Sequence, residues 1–206
     1  MRDELDKQLC EKYPKIFKNR FADMRTTAMC WGFECGDGWY NILDRMCALM
    51  QWHIDQNRKE RVRNYLHNRK IRELIKDPKK IRAYAEKQYA TYHESYREEY
   101  VNRLMLELEV EPLKQMKKIP YKCGQIVASQ VKEKFGTLRF YYDGGDVGDG
   151  YFRGVEAMAE AMSSVTCEEC GAPGQLRGGG WIRCLCDTHA TKDGETRITL
   201  DEEGQP

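Results

Sequence analysis

The chain of 206 residues is 41% hydrophobic and 11% aromatic, which is enough for a packed core and argues against general disorder. Its formal net charge is only +1, so the chain as a whole is neither strongly basic nor strongly acidic. No run approaches the roughly 20 apolar residues of a membrane span, and the charged start MRDELDKQLC does not fit a signal peptide, so we expect a cytoplasmic protein with reduced cysteines.

Residues 1–57 are predicted to form the N-terminal helical part of the core. ELDKQLCEKYPKIF indicates a short amphipathic helix that Pro14 breaks. Asp37, between two glycines, can cap a second helix whose apolar positions recur at helical spacing: Trp39, Leu43, Met46, Cys47, Met50 and Ile54. The Gly-Asp-Gly turn could instead cradle a phosphate at the helix N-terminus, although Asp37 would repel an anion.

Residues 58–118 are predicted to form a charged helical hairpin or arm. Between residues 58 and 82 there are 11 Lys or Arg against three acids. A basic stripe without compensating acids is expected on one sector of the first helix, comprising Arg58, Arg61, Arg69, Arg72 and Lys76, with Tyr65 among them. Such a stripe is typical of binding to nucleic acid or a polyphosphate ligand, and a solvated helix face is the alternative.

The second helix of this arm is predicted to begin at Asp77 and Pro78 and to continue to about Val110. One side carries Tyr89, Tyr92, Tyr96, Tyr100, Leu104 and Leu108. We expect a packing face there rather than a ladder for stacked bases. Such a helix would be about 45 Å long, so the arm could protrude, or the 78–110 helix could form a homodimer.

Residues 119–165 are predicted to form a β-hairpin followed by a helix. GQIVASQVKEKFGTLRFYYDGG indicates two strands joined by a turn at EKFGT. The alternation of Leu138, Phe140 and Tyr142 with their neighbours predicts that one set faces the core. The opposite face would carry groups that can stack on a base and neutralise a phosphate, namely Lys132, Lys134, Arg139 and Tyr141. The glycine-rich loop DGGDVGDG then leads into the helix YFRGVEAMAEAMSSV, and its aspartates lack calcium-loop spacing.

Residues 166–190, TCEECGAPGQLRGGGWIRCLCDTHA, are predicted to form a zinc ribbon with its hairpin tip at the glycines of 178–180. Cys167-x2-Cys170 is one zinc knuckle, and Cys186-x2-His189 repeats its spacing. Cys184 is two residues from Cys186 in a predicted strand and should point to the opposite face, although it could replace one of the four ligands. One structural Zn²⁺ is therefore expected, because four protein ligands leave no position for water.

No catalytic residues are predicted. The nucleobase-deaminase signature is missing its H-x-E element, and His189 is the only histidine in the last hundred residues. No P-loop or nucleophile elbow occurs, and solvation explains the acids Glu94, Glu98 and Glu99 on a helix face. The remaining segment, 191–206, is acidic without an apolar pattern and is predicted to be mobile.

The predicted fold class is α+β: a mainly helical N-terminal two-thirds with a long helical hairpin, then a β-hairpin, a helix and a small zinc ribbon. EKYPKIF, CGDGWYNILDRMC, SQVKEKFGTLRFYY and TCEECGAPG…GWIRCLCDTHA, in this order, resemble a family of uncharacterised tailed-bacteriophage proteins with a C-terminal CxxCG…CxxH zinc ribbon. The resemblance covers the first 55 residues and residues 120–190. It implies a phage accessory protein that acts in the host bacterial cytoplasm.

These patterns together favour a non-enzymatic, zinc-stabilised phage accessory protein. Its expected partner is an anionic ligand, either nucleic acid or a nucleotide signal, and capturing it could counter host defence. The alternative is a protein–protein adaptor or inhibitor that docks a host enzyme through its helical arm. A nuclease is a third possibility, which no motif supports.

Overall fold

The computed structural model describes residues 1–145, 150–178, 181–193 and 196–197, and it confirms the α+β class with helices dominating the N-terminal part. The helices are α1 (Asp3–Lys12), α2 (Tyr40–Leu74), α3 (Pro78–Gln88), α4 (Glu94–Val110), α5 (Gly150–Ser163) and α6 (Asp187–Asp193). The strands are β1 (Phe33–Glu34), β2 (Val127–Lys134), β3 (Thr137–Asp143), β4 (Gln175–Gly178), β5 (Arg183–Leu185) and β6 (Thr196–Arg197). Within the described ranges, no helix combines the length and the apolar character needed to cross a membrane.

The chain divides into two compact units. Unit 1 comprises Met1–Ile54 and Cys123–Pro206, and unit 2 comprises Asp55–Lys122. Unit 1 contains two sheets of three strands, ordered β1-β2-β3 and β5-β4-β6. Strand β1 runs parallel to β2, and the remaining pairs are antiparallel. The predicted arm at 58–118 falls within the residues of unit 2.

The core of unit 1 forms where α2 presents its apolar face to the first sheet and α5. The predicted residues Leu43, Met46, Cys47, Met50 and Ile54 are all buried. Trp39 is also buried, but it lies in a 3₁₀ turn (Asp37–Trp39) before the helix. Asp37 makes no capping hydrogen bond, so its predicted role was wrong: its carboxylate accepts the Arg2 main-chain N–H at 2.8 Å.

The hairpin β2–β3 has the predicted turn, with Phe135 at φ +54° and Gly136 at φ +76°. Two successive residues with positive φ are what a two-residue type I′ turn requires. Leu138 and Phe140 are buried, so this set faces the core. Helix α5 follows on from residues 146–149, which include part of the glycine-rich loop and lie outside the described residues. The Ser163 hydroxyl of α5 accepts the Leu138 main-chain N–H at 2.8 Å, which satisfies a donor on strand β3.

In unit 2 the predicted single helix from residue 78 to about residue 110 is wrong. Helix α3 begins at Pro78 with Asp77 as its N-cap, as predicted, but it ends at Gln88. Helix α4 starts after His93, whose side chain accepts the Ser95 main-chain N–H. The chain therefore folds back, which lets the two helices bury a shared apolar cluster that also includes α2 residues: Ile71, Leu74, Ile81, Ala85, Val101, Leu104 and Leu108.

The tyrosines expected along one helix side lie at this break instead. The rings of Tyr89, Tyr92 and Tyr100 contact one another at centroid distances of 5.1 to 5.4 Å. Arg82 of α3 pairs with Glu98 of α4 at 3.1 Å, next to the same junction. The possible homodimer was predicted to form through a continuous helix over residues 78–110, and the structure does not contain this helix.

A row of α2 side chains in unit 2 binds the main chain of the segment 117–121. Asn68 is buried, donates to the Lys117 carbonyl and accepts the Lys117 N–H, both at 2.8 Å. Asn64 is also buried and donates to the Lys118 carbonyl at 2.8 Å. The same segment accepts hydrogen bonds from Asn57 and Arg61. These bonds at helical spacing attach a segment that has no regular structure of its own.

We predict that Asn68→Ala destabilises the protein by about 1–3 kcal/mol, because it removes the two hydrogen bonds of the buried Asn68 side chain to the Lys117 main chain. Asn102→Ala is the matched control: Asn102 is exposed on α4, and alanine is the better helix former. Urea unfolding of both variants measures the difference. Equal stabilities of the two variants would contradict the structural role of Asn68.

Candidate functional site

The second sheet of unit 1 brings together four side chains that could bind a metal ion: Cys167, Cys170, Cys186 and His189. Cys167 and Cys170 lie in the turn after α5, where Gly171 has φ +75°. The Gly171 N–H donates to the Cys167 carbonyl at 2.8 Å and closes this turn. Cys186 follows β5, and His189 lies in the first turn of α6. Two chain turns thus supply two ligand atoms each.

The geometry of this cluster fits a tetrahedral ion. The four ligand atoms all lie within 4.8 Å of one another. Cys170 Sγ is 3.8 Å from Cys186 Sγ, and Cys167 Sγ is 3.6 Å from His189 Nδ1. Ion bonds of about 2.3 Å to sulfur and 2.0–2.1 Å to nitrogen at tetrahedral angles separate two sulfurs by about 3.8 Å and sulfur from nitrogen by about 3.5 Å. The residue types and their separations therefore suit a metal ion with sulfur and nitrogen ligands.

Cys184 lies apart from this cluster. It is fully buried in the core of unit 1, and its thiol donates to the Ser164 carbonyl at 3.2 Å. Burial raises the pKa of the Cys184 thiol to about 12, which keeps it protonated at neutral pH. By contrast, the main-chain N–H of His189, followed by its side chain, lowers the pKa of Cys186 to about 6. Cys186 Sγ lies 3.1 Å from His189 Nδ1, so Cys186 rather than Cys184 is placed to bind a metal with the other three residues.

The turn that holds Cys167 and Cys170 packs directly on the Gly36-Asp37-Gly38-Trp39 segment. The Gly38 N–H donates to the Glu168 carbonyl at 2.7 Å, and the Gly36 N–H donates to the Glu168 carboxylate at 2.9 Å. The Trp39 indole N–H donates to the Thr166 carbonyl at 2.8 Å. These amides are therefore already bonded within the chain, and the alternative of a phosphate cradle at this turn was wrong.

Glycine is required at position 38 by the closeness of the two backbones. A Cβ there would lie 2.1 Å from the Cys167 carbonyl oxygen and 2.4 Å from the Gly171 nitrogen. Neither atom can rotate away, because both belong to the main chain. The sequence carried a signal for this contact in its two glycines before a buried tryptophan, but it did not indicate which segment approaches them.

The predicted basic stripe on α2 is not free of acids, contrary to expectation. Arg69 pairs with Glu73 at 3.0 Å, and Arg58 lies 3.7 Å from Asp55. Arg61 donates to the Pro120 carbonyl, so it contributes to the fold of unit 2. The stripe also includes three exposed residues: Tyr65, Arg72 and Lys76. Arg72 and Lys76 have no ion-pair partner in the part of the chain that the structure describes.

The solvent face of the β2–β3 hairpin carries the other predicted anion-binding residues. Lys132 lies opposite Arg139 on the neighbouring strand, and its Nζ is 5.7 Å from the Tyr141 ring centroid. Arg139 is paired with Glu160 of α5, which withdraws its charge from this face. Lys132 and Lys134 have no carboxylate partner among residues 1–145, 150–178, 181–193 and 196–197. The predicted face thus keeps two cations and one exposed aromatic ring.

The hairpin β4–β5 connects the metal cluster to the turn of β2–β3. A Cβ at Gly136 would lie 2.5 Å from the Leu176 side chain and 3.2 Å from the Ile182 side chain, so the turn lies directly against these two residues.

Two predicted segments are described only in part. Gly178 ends β4, and the rest of the predicted glycine tip, residues 179–180, lies outside the described residues. Of the segment predicted to be mobile, residues 191–193 continue α6 and Thr196–Arg197 pair with β4. The rest of that segment is likewise not described.

Comparison with protein-family models, curated proteins and solved structures finds no match to this chain. The function must therefore be argued from the residues and their geometry.

We predict that Gly38→Ala destabilises the protein by about 3 kcal/mol, at the upper end of the usual cost of overpacking, because the new methyl group would overlap main-chain atoms of the Cys167–Gly171 turn. Gly154→Ala is the matched control: its Cβ would meet nothing within 4 Å, and α5 should gain about 0.5–1 kcal/mol. Thermal unfolding distinguishes the two substitutions. A Gly38→Ala protein as stable as the parent would refute the close backbone contact.

Proposed function

We propose that this protein is a zinc-stabilised binding protein without catalytic activity, which engages an anionic ligand. Two observations carry the proposal: the cluster of Cys167, Cys170, Cys186 and His189, and a hairpin face whose Lys132 and Lys134 have no carboxylate partner among the described residues. Three thiolates and an imidazole are the donor set that zinc prefers in structural sites. When bound, the ion crosslinks the two turns that supply these ligands.

A structural role for zinc follows from the ligand number and from the small core around the site. Four protein ligands complete a tetrahedron, so no position remains for water or substrate. Among the described residues, the apolar cluster at this site has three buried members, Cys167, Leu185 and Ala190, and Cys167 is itself a proposed ligand. So small a core contributes little folding free energy, and metal binding supplies it instead.

The anionic ligand is proposed to bind the solvent face of the β2–β3 hairpin. Lys132 and Lys134 offer two ammonium groups there, and both lie near aromatic rings at 5.7 and 5.4 Å. Lysine neutralises phosphate as a flexible point charge, and aromatic rings stack on bases. Nucleic acid and nucleotides combine both features. Arg72 in the last turn of α2 and Lys76 just after this helix form a second, separate candidate for anion binding.

The four sequence segments that resemble tailed-phage proteins support a biological setting for this binding. In that setting the protein is a phage accessory protein of the host cytoplasm, and capture of a nucleic acid or nucleotide signal counters host defence.

A protein–protein adaptor is the second candidate. It is favoured by three exposed apolar side chains close together on the α2 part of unit 2: Val62, Tyr65 and Leu66. Each is more than half exposed, and apolar groups left in water at one place are typical of docking surfaces. Binding of this kind responds little to salt, whereas phosphate binding weakens steeply as salt rises.

We predict that the purified protein holds one zinc per chain and that Cys170→Ser and Cys186→Ser each lose it, with a large fall in stability. Cys184→Ala should keep the zinc, although its buried cavity lowers the stability modestly. Elemental analysis together with thermal unfolding measures both effects. If Cys184→Ala lost the metal while Cys186→Ser retained it, the ligand assignment would be wrong.

We further predict that binding of a single-stranded oligonucleotide weakens roughly sevenfold between about 50 and 200 mM salt, as expected for two phosphate contacts. Lys132→Ala with Lys134→Ala should reduce both the affinity and this salt slope. Arg72→Ala with Lys76→Ala is the matched control for loss of two positive charges. If only the control pair weakened binding, the ligand would bind near the C-terminal end of α2. Failure to bind the oligonucleotide at low salt would favour the adaptor.

A further inference from the structure

A cleft of about 580 Å³ lies between the tip of the β2–β3 hairpin and the residues Trp181 and Ile182, which precede β5. It is lined by Lys132, Glu133, Lys134, Phe135, Trp181 and Ile182. Phe135 and Trp181 are large aromatic residues, yet 63% and 65% of their surfaces are exposed. Neither residue belongs to the anion-binding set predicted from the sequence. The metal cluster and this cleft are both built on the β4–β5 hairpin.

Phenylalanine is an unfavourable residue type for the backbone conformation at position 135. Phe135 has φ +54°, and among the described residues it is the only one other than glycine with a positive φ. Turn positions of this kind favour Asn, Asp or Gly, and a bulky side chain there is an outlier. Its exposed ring gains little from packing within the chain. An unfavourable backbone conformation that carries an exposed aromatic ring points to a contact outside the chain.

Trp181 is held in place by a hydrogen bond although most of its surface is exposed. Its indole N–H donates to Glu133 Oε2 at 3.0 Å. Glu133 Oε1 accepts the Gly136 main-chain N–H at 2.6 Å, so the carboxylate ties the tryptophan to the hairpin turn. A preformed aromatic surface loses little side-chain entropy when a ligand binds. Both oxygens of this acidic group are engaged within the protein.

The charges at the cleft complement a phosphate. Lys132 and Lys134 flank Glu133 on strand β2, and neither ammonium group has a carboxylate partner within the described ranges. Aromatic rings beside unpaired lysines are how proteins bind unpaired nucleotides, with the base stacked and the phosphate neutralised. A double helix hides its base faces and offers nothing for the rings to stack on.

We infer that this cleft binds an unpaired nucleotide, stacking its base on Trp181 and Phe135 and neutralising its phosphate with Lys132 and Lys134. The inference rests on the proposed anion binding at the hairpin and specifies the ligand and the contacts. A lipid surface is the competing partner for exposed aromatic and basic residues. The cleft disfavours it, because an anchor must protrude into a bilayer, whereas these rings line a concavity that also holds the Glu133 carboxylate.

The test measures binding of a fluorescent oligothymidylate of about 12 nucleotides to the zinc-loaded protein and to three variants. Trp181→Ala and Phe135→Asn should each weaken binding between about fivefold and a hundredfold without changing the salt slope. Asparagine tolerates positive φ, so Phe135→Asn preserves the turn. Trp52→Ala is the matched control, because it removes a comparably exposed tryptophan that does not line the cleft, and it should bind like the parent.

Further ligands identify the source of the nucleotide. If thymidine monophosphate competes with the fluorescent oligothymidylate as strongly as the unlabelled oligonucleotide does, the cleft binds free nucleotides. If it competes much more weakly, the cleft binds nucleotides within a single strand. Both results support the inference. Blunt duplex DNA that binds as well as the single strand would overturn it. So would binding to phosphatidylserine vesicles in place of the oligonucleotide.

Failure of this inference can be told apart from failure of the proposed function. If the Lys132 and Lys134 substitutions weaken binding while Trp181→Ala and Phe135→Asn act like Trp52→Ala, anion binding stands and the stacking cleft is refuted. If neither oligonucleotide nor nucleotide binds the zinc-loaded protein at low salt, both are refuted.

Discussion

Two main-chain segments approach each other at Gly38 so closely that no side chain fits between them. One precedes helix α2, and the other is the turn that holds Cys167 and Cys170. Two amide hydrogen bonds to Glu168 and one from the Trp39 indole connect them. Through this contact the turn with two of the four candidate metal ligands is attached to the main apolar core of unit 1, which includes Trp39.

The proposed zinc ion would reinforce this contact, because it would hold the turn with Cys167 and Cys170 from its other side through Cys186 and His189. One main-chain hydrogen bond already joins the two halves of the cluster, since the Glu168 N–H donates to the Cys184 carbonyl at 2.8 Å. The apolar cluster there is small, so metal binding would supply much of the stability that holds the turn in place. The β4–β5 hairpin then carries Leu176 and Ile182 to the turn at Gly136. A structural metal ion at the cluster would in this way support the proposed cleft, in which the hydrogen bond from the Trp181 indole to Glu133 holds the tryptophan at the hairpin turn.

Local patterns in the sequence predicted the parts that depend on local rules. The spacing of Cys167, Cys170, Cys186 and His189 selected the four residues that the fold brings together, and the apolar period of α2 predicted its buried face. The pairing of Arg69 with Glu73 was also visible as an i, i+4 relation, although the stripe was interpreted as unpaired. The break after Gln88 was not predictable from periodicity. The packing of α4 against α3 determines where the helix breaks. Strong helix-forming residues on both sides of the break make the segment resemble one continuous helix.

The contact at Gly38 was beyond sequence reasoning for a different reason. It joins residues about 130 positions apart, and glycine gives no indication of its partner. The role of Asp37 was misread because its carboxylate binds the distant Arg2 main chain rather than its own helix. Phe135 and Trp181 were not predicted as binding residues, because no local pattern in their segments distinguishes them. Their proposed role depends on the positive φ of Phe135 and on the hydrogen bond from Trp181 to Glu133.

Amide hydrogen exchange before and after chelation of the metal tests the central claim most directly. In the metal-loaded protein, the Gly36 and Gly38 amides should exchange slowly, because both donate to Glu168. After chelation they should exchange much faster, together with those of Cys167 and Gly171, while the Lys117 amide of unit 2 keeps its rate. Equal protection of the Gly36 and Gly38 amides with and without the metal would contradict the account.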